Sequence, residues 1–393
     1  MFDRLPAQAP DKIIELMTTF RNDPRENKVD LGVGVYKNAD GLTPVMAAIK
    51  TAEKQLWQDE VTKTYVGLAG DAGFHDAMVG LILGADAPTN RIACAATPGG
   101  TGAVRNGLEM VQMANSDASV WISAPTWPNH PSILEYLKIP VQTYRYYDAE
   151  TGGVDFEGML ADLSKAKAGD VVLLHGCCHN PTGANLRRDD WMAVSKLLNE
   201  RGLIPFVDIA YQGFGDGLEA DAFGVRHLVE TLPEVLIAAS CSKNFGVYRE
   251  RVGILIAVSE AAKRNGVQAS LTALNRLNYS FPPDHGARLV TMVLNDPALR
   301  ADWESELAGI REGLIVSRQN LASALKDRLG SDRFGFLAEH RGMFSLLGLS
   351  SGKIDRLREE FGVYLIGDSR MNIAGLSEAS IPLVADAILA VDG

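Results

Sequence analysis

The 393-residue chain reads as an α/β protein, with a large domain built on a mostly parallel sheet flanked by helices and a smaller α+β domain. Three observations predict this. First, the apolar, β-branched runs at residues 119–123, 171–175, 203–208, 235–240 and 252–258 are continuous rather than alternating, as expected of strands covered on both faces. Second, segments such as 160–168 and 188–201 lie between them with helical apolar spacing. Third, the pattern changes from about Asp302 to one long amphipathic stretch running towards Leu329.

In chain order, a helix is expected near residues 12–21, then an extended piece at 29–35. A strand at 92–96 leads through Thr97-Pro98-Gly99-Gly100-Thr101-Gly102 into a helix beginning near Ala103. The five runs and their intervening helices follow. Beyond the long helix come short apolar pieces at 334–337, 344–349, 364–366 and 371–374, and a final helix over 376–391. The expected division is an N-terminal arm and part of the small domain at 1–44, the large domain at 45–310 and the small domain at 311–393. Two domains imply a cleft, and in parallel sheets ligands collect beyond the carboxyl ends of the strands.

The formal net charge of -11 argues against nonspecific nucleic-acid binding, which needs a basic face. No apolar stretch approaches bilayer length, and Met1-Phe2-Asp3-Arg4-Leu5-Pro6 lacks the order of a secretion signal, so a cytoplasmic protein without membrane partners is expected. Cys94, Cys177, Cys178 and Cys241 show no CxxC spacing and sit in apolar surroundings, which suits reduced core thiols.

Lys243, in Ser240-Cys241-Ser242-Lys243-Asn244-Phe245-Gly246, closes a strongly apolar run. Desolvation penalises an ammonium there, which makes Lys243 a candidate Schiff-base lysine; a solvent-exposed lysine at a strand end is the competing reading. Ser240, Ser242 and Arg251 could hold an anionic group beside the amine, the combination a phosphorylated aldehyde such as pyridoxal phosphate requires. Gly99 to Gly102, at a strand-to-helix turn, reads as a phosphate cradle or as an ordinary tight turn. Asp208 ends another run and could pair with a protonated pyridine nitrogen, with Tyr211 donating to a ring oxygen; alternatively it caps the next loop.

Asn180-Pro181-Thr182-Gly183 fixes an amide at the sheet edge, while the adjacent Cys177 and Cys178 do not have the spacing of zinc ligands, so no metal is expected. Trp127 could lie against a planar heterocycle and His130 could support Asp208, although both also suit ordinary loop packing. Arg370 could grip an α-carboxylate in two-pronged fashion or form a surface ion pair, and Arg276 is similarly open. Ile14 and Val33 are candidate apolar walls.

Gly34-Val35-Tyr36-Lys37, Thr64-Tyr65, Gly99-Gly100-Thr101-Gly102, Asn180-Pro181-Thr182-Gly183, Asp208-Ile209-Ala210-Tyr211, Ser242-Lys243-Asn244-Phe245 and Arg370, in this order along nearly the whole chain, resemble the aspartate and aromatic amino-acid aminotransferases of the fold-type I pyridoxal-phosphate enzymes. The bacterial aromatic branch is the most similar. The resemblance implies a seven-stranded sheet, pyridoxal 5'-phosphate as cofactor and a homodimer with active sites shared between subunits. It implies that Lys243 binds the cofactor covalently and moves the substrate proton, that Asp208 holds the pyridine nitrogen, Tyr211 and Asn180 the ring oxygen, and Trp127 the ring face. Gly100, Thr101, Ser240 and Arg251 would bind the phosphate, joined by Tyr65 from the neighbouring subunit. Arg370, Asn180, Trp127 and Gly34 would meet the substrate, and Arg276 from the neighbour would pair with its side-chain carboxylate. Phe281 departs from the family pattern, in which Asn often follows Tyr-Ser, and this puts a purely dicarboxylate pocket in doubt.

The activity so implied moves an amino group between an aromatic (Tyr, Phe, Trp) or acidic (Asp, Glu) L-amino acid and a 2-oxo acid, typically 2-oxoglutarate. An aspartate aminotransferase with little aromatic activity, a lyase or decarboxylase on the same fold, and a catalytically silent binding domain are the alternatives. Lys243, Asp208 and Arg370 together speak against the last.

Overall fold

The computed structural model describes residues 1–5, 12–38 and 41–392. Among these, the strands are β1 (Val29–Asp30), β2 (Ile92–Pro98), β3 (Val120–Ala124), β4 (Val141–Arg145), β5 (Val171–His175), β6 (Ile204–Ile209), β7 (Val235–Ser240), β8 (Val252–Val258), β9 (Phe344–Leu346), β10 (Val363–Tyr364) and β11 (Arg370–Asn372). Seven of them form one sheet in the order β2-β8-β7-β6-β5-β3-β4. β8 runs antiparallel to both neighbours and every other pairing is parallel, as expected of a mostly parallel sheet.

The runs read as doubly covered strands are so. β7 and β8 are buried along their whole length, and Phe206 and Val207 of β6 lie fully inside. β5, β7 and β8 have the bounds read from the sequence, while β3 and β6 are each shifted one residue on. β4 was not expected. It is one of the two edge strands, and its Gln142, Thr143 and Arg145 face solvent, so it lacks the apolar run that betrays a covered strand.

The helix expected near Ala103 starts at Gly99 instead. Its glycines belong to the first turn because neighbours crowd them: a Cβ on Gly99 would fall 2.5 Å from Arg251 Nη2, and one on Gly100 2.9 Å from Ser240 Cβ. The helix expected over 160–168 is Phe156–Leu163, started by Asp155, whose carboxylate accepts from the Gly158 N–H. The final helix starts late, at Ile381, because Ser377 and Ser380 exchange hydrogen bonds in a turn before it.

Beyond the sheet, one helix of 33 residues, Pro297–Leu329, packs against the C-terminal helix Ile381–Asp392. Asp296 caps its start by accepting from the N–H groups of Ala298 and Leu299, and Gly330 closes its end in the left-handed conformation. Trp303, fully buried, stacks on Phe245 with ring centroids 4.4 Å apart and donates to the Asn244 carbonyl at 2.7 Å. Further along, Arg318 donates to the carbonyls of Gly342 and Phe344 at 2.8 Å each and to Ser345 Oγ at 2.7 Å. This helix therefore braces both the turn after β7 and the short strand β9. The two ends of the chain meet there: β1 pairs with β10, and β9 with β11.

Candidate active site

In a parallel sheet the carboxyl ends of the strands lie along one edge, and here β2, β3, β5, β6 and β7 all end on it. Because β8 is antiparallel, its starting end lies on that edge too, which delivers Arg251 to the same place. A cavity of about 270 Å³ opens there. Gly100 and Thr101 reach it from the end of β2, Trp127 from the loop after β3, Asn180 from beyond β5, Asp208 and Tyr211 from β6, and Ser240 and Lys243 from β7. Arg370 and Gly34 close the opposite side.

Asp208 is held at depth by a histidine. His130 Nε2 lies 3.0 Å from Asp208 Oδ2, the contact expected between them, and His130 Nδ1 meets Thr126 Oγ1 at 2.8 Å. Thr126 in turn meets His175 Nε2 at 3.0 Å. Burial alone pushes the Asp208 carboxyl up, but the His130 hydrogen bond and the nearby charges outweigh it, and the net shift is downward, so the group is an anion. Burial takes the His175 imidazole down to about 3, so it stays neutral beside this network.

Lys243 Nζ sits 4.7 Å from the centre of the Tyr211 ring. Burial lowers its pKa to about 8; the Asp208 carboxylate opposes that shift and the Arg251 cation adds to it. Near neutrality about a tenth of this amine is therefore neutral and free to act as a nucleophile or base, far more than for an ordinary lysine. Burial holds the Tyr211 phenol far above its usual range, so its O–H remains a donor.

Beside Lys243, the first turn of the helix Gly99–Ala114 faces Ser240, Ser242 and Arg251. Arg251 Nη1 donates to the Tyr248 carbonyl at 3.2 Å and approaches Ser242 Oγ at 3.4 Å; its backbone is left-handed, at φ 55°. A strained non-glycine residue there is characteristic of a site that holds a ligand. Helix N–H groups, a guanidinium and two hydroxyls around glycines with no room for a Cβ make a cradle for a phosphate.

Arg370, at the start of β11, donates from Nη1 to Asn180 Oδ1 at 3.2 Å and from Nη2 towards the Gly32 carbonyl at 3.4 Å. Its Nε is buried with no partner among the described residues, and the guanidinium lies 4.3 Å from the centre of the Phe344 ring. Asp368 lies close enough to act on this charge, but its Oδ1 accepts from the Arg370 backbone N–H and no ion pair ties up the guanidinium among the described residues, so a buried cation with a spare donor is poised for an incoming anion.

Some expected residues lie elsewhere. Ile14 is 63% exposed and faces away; Ile13, one position earlier on its helix, lines the cavity instead. Val33 does not line the cavity; Gly34, the next residue, does, and the Val33 carbonyl accepts from Asn372. Tyr65 is 84% exposed and stacks on Phe281 at 4.6 Å, and Arg276 lies 6.0 Å from the centre of the same ring. This exposed cluster lies outside the cavity of its own chain.

Phe344, Tyr248 and Ile13 line the site without having been singled out from the sequence. Tyr248 follows the lysine turn closely enough for a strand-end reading to have included it. Phe344 and Ile13 carry no local signal.

The family model for aminotransferase class I and II matches residues 26–388. An aromatic-amino-acid aminotransferase of Paracoccus denitrificans is 57% identical over 392 residues, covering 100% of both chains. Among solved structures, an aromatic-amino-acid aminotransferase of Burkholderia pseudomallei, covalently bound to pyridoxal phosphate, superposes with a TM-score of 0.97 at 40% identity, covering 100% of this chain and 99% of that one. A psychrophilic aromatic amino acids aminotransferase of Psychrobacter sp. B6, cocrystallised with aspartic acid, gives a TM-score of 0.97 at 39% identity over 100% and 99% of the two chains. With its acid, amine and guanidinium gathered at one sheet edge, the chain belongs to the class I and II aminotransferases.

Proposed function

We propose that this aminotransferase exchanges the amino group of an aromatic or acidic L-amino acid with 2-oxoglutarate, and that Lys243, Asp208 and Arg370 divide the work. The observation that carries the assignment is their convergence on one cavity beside a glycine cradle. The cofactor is pyridoxal 5'-phosphate, and the residues present fit it. Gly100, Thr101, Ser240 and Arg251 suit its phosphate, Asp208 its ring nitrogen, Tyr211 and Asn180 its ring oxygen, Trp127 its ring face and Lys243 its aldehyde. When bound, it supplies the electron sink that makes a proton on the substrate α-carbon acidic.

The chain does the rest. Arg370, with Asn180 beside it, binds the α-carboxylate and fixes which bond of the α-carbon faces Lys243. Lys243 Nζ, held partly neutral by burial, takes the proton from the α-carbon and would hand it to the carbon of the cofactor's aldehyde. The Asp208 anion, kept ionised by His130, sustains a positive charge on its partner. Trp127 and Phe344 give the cavity flat apolar faces suited to an aromatic side chain.

The acidic substrates need a second cation. We assign this to Arg276 of a second subunit, and the cofactor phosphate's further partner to its Tyr65, because both are presented on the surface of one chain and neither reaches its own cavity. The enzyme so proposed is a cytoplasmic homodimer. No helix among the described residues is long and apolar enough to cross a membrane.

A panel of phenylalanine, tyrosine, tryptophan, aspartate and glutamate, each offered with a 2-oxo acid acceptor, tests the substrate range. Glutamate is expected to form from 2-oxoglutarate with the aromatic donors and with aspartate. Release of ammonia, of carbon dioxide or of a shortened carbon skeleton instead would overturn the assignment.

A further inference from the structure

We propose that Asn372 is a positioning residue for substrate recognition. It locks the cavity wall at residues 32–35 to the strand that carries Arg370, so that wall and guanidinium meet the amino acid as one rigid unit. The inference rests on the assignment of Arg370 to the α-carboxylate.

Arg370 and Asn372 are two residues apart on β11, so their side chains leave the same face of the strand. Asn372 is fully buried. Its Nδ2 donates to the Val33 carbonyl at 2.6 Å and to the Val35 carbonyl at 2.9 Å, the two that flank Gly34. Its Oδ1 accepts from the Ala374 N–H at 3.1 Å, and its own N–H donates to the Leu31 carbonyl at 2.7 Å. Both hydrogens of the amide are thus spent on one short segment.

Further ties of the segment do not reach the Arg370 strand: the Gly32 and Val33 N–H groups donate to Asp30 Oδ1 at 3.1 and 3.4 Å, and the Tyr36 N–H to the Tyr248 hydroxyl at 3.2 Å. Strand pairing stops at Asp30, and beyond it the chain is irregular. The remaining ties between the two segments are the Lys37 N–H on the Ala374 carbonyl at 3.2 Å and the long contact from Arg370 to Gly32 at 3.4 Å. What the clamp positions is Gly34. A Cβ there would fall 3.0 Å from Phe344 Cζ, and that same ring lies 4.3 Å from the Arg370 guanidinium. One aromatic ring therefore spaces the wall from the cation, and Asn372 holds the wall against it.

A displacement of about 1 Å in such a wall is enough to cost up to about a hundredfold in the use of a substrate. In Asn372→Ala enzyme loaded with pyridoxal phosphate, KM for phenylalanine and for aspartate should rise together by about tenfold, with kcat within about threefold of the parent. The visible absorption of the bound cofactor and its pH titration should not move, because Lys243, Asp208 and Arg251 stand on other strands. Unchanged KM in the folded variant would overturn the proposal, and so would a loss confined to kcat or to cofactor affinity. Gly34→Ala gives a second reading should the first variant fail to fold. Its added methyl meets Phe344, so ring or wall must give by a few tenths of an ångström and the spacing of wall from cation changes; the same rise in KM is expected, and an unmoved KM would again refute the shared unit. Failure of the parent enzyme to transaminate would instead remove the reading on which this one rests.

Discussion

The two sides of the cavity are made differently. The side built by the sheet takes Asp208, Ser240, Lys243 and the glycine turn from strand ends, each placed by a buried run of backbone hydrogen bonds. The facing side takes Gly34, Phe344 and Arg370 from the two ends of the chain, more than 300 residues apart in the case of Gly34 and Phe344, and holds them with strands of two or three residues and single side-chain amides. The first suits a cofactor that stays, and the second suits substrates that come and go. A wall and guanidinium tied to each other can shift as one unit where a seven-stranded sheet cannot.

The largest expected effect breaks the first side. Lys243→Ala removes the group that moves the proton, and transamination should fall by about 10⁴-fold or more for every donor, measured as the single-turnover rate constant; a near-normal rate would rule the role out. Arg370→Ala breaks the second side and should act on recognition. A lost buried charge contact is worth about 3–5 kcal/mol, so kcat/KM should drop about 10²- to 10⁴-fold for aromatic and acidic donors alike, while cofactor absorption persists. If Arg370→Ala abolished cofactor binding, the division between the two sides would be mistaken.

A third expectation tests what one chain lacks. Arg276→Ala should lower kcat/KM for aspartate by about 10²-fold and leave phenylalanine within about twofold. Lys243→Ala and Arg276→Ala proteins, each poor with aspartate, should recover aspartate turnover when unfolded and refolded together. A mixed dimer would have one site with an intact lysine and the partner's intact arginine. Recovery absent from mixtures that do form hybrids would place Arg276 within its own subunit's chemistry.

The same contrast explains what could be read from the sequence. Lys243, Asp208 and the Gly99 to Gly102 turn are legible because a polar group or glycine closing a long buried run has few structural uses, and β5, β7 and β8 are legible because nothing polar interrupts them. β4 was hidden by its solvent-facing polar residues, and Phe344, Ile13 and Asn372 by distance along the chain. Their roles depend on which short pieces meet, and a three-residue strand carries no periodicity from which to infer its partner. Ile14 shows the limit in one helix: the apolar residue next to it turns inward, and a pair of adjacent isoleucines does not say which.

The smallest effect concerns the cost of keeping Lys243 inside the sheet-built half. In cofactor-free protein its pKa is about 8 against an ordinary 10.5, so between those values the unfolded chain holds a proton that the folded chain has released. Stability from this group therefore rises with pH across that window, and the full penalty is present below about pH 8. It amounts to on the order of 3 kcal/mol, or several degrees in melting temperature for a chain of this length. Lys243→Met should melt above the cofactor-free parent at pH 7, and the gap should narrow by pH 10. Burial lowers Arg370 as well, but parent and variant share that group and its contribution cancels in the gap between them. A gap of equal size at both pH values would show that the amine carries no buried charge, and the neutral fraction on which its reactivity depends would need another source.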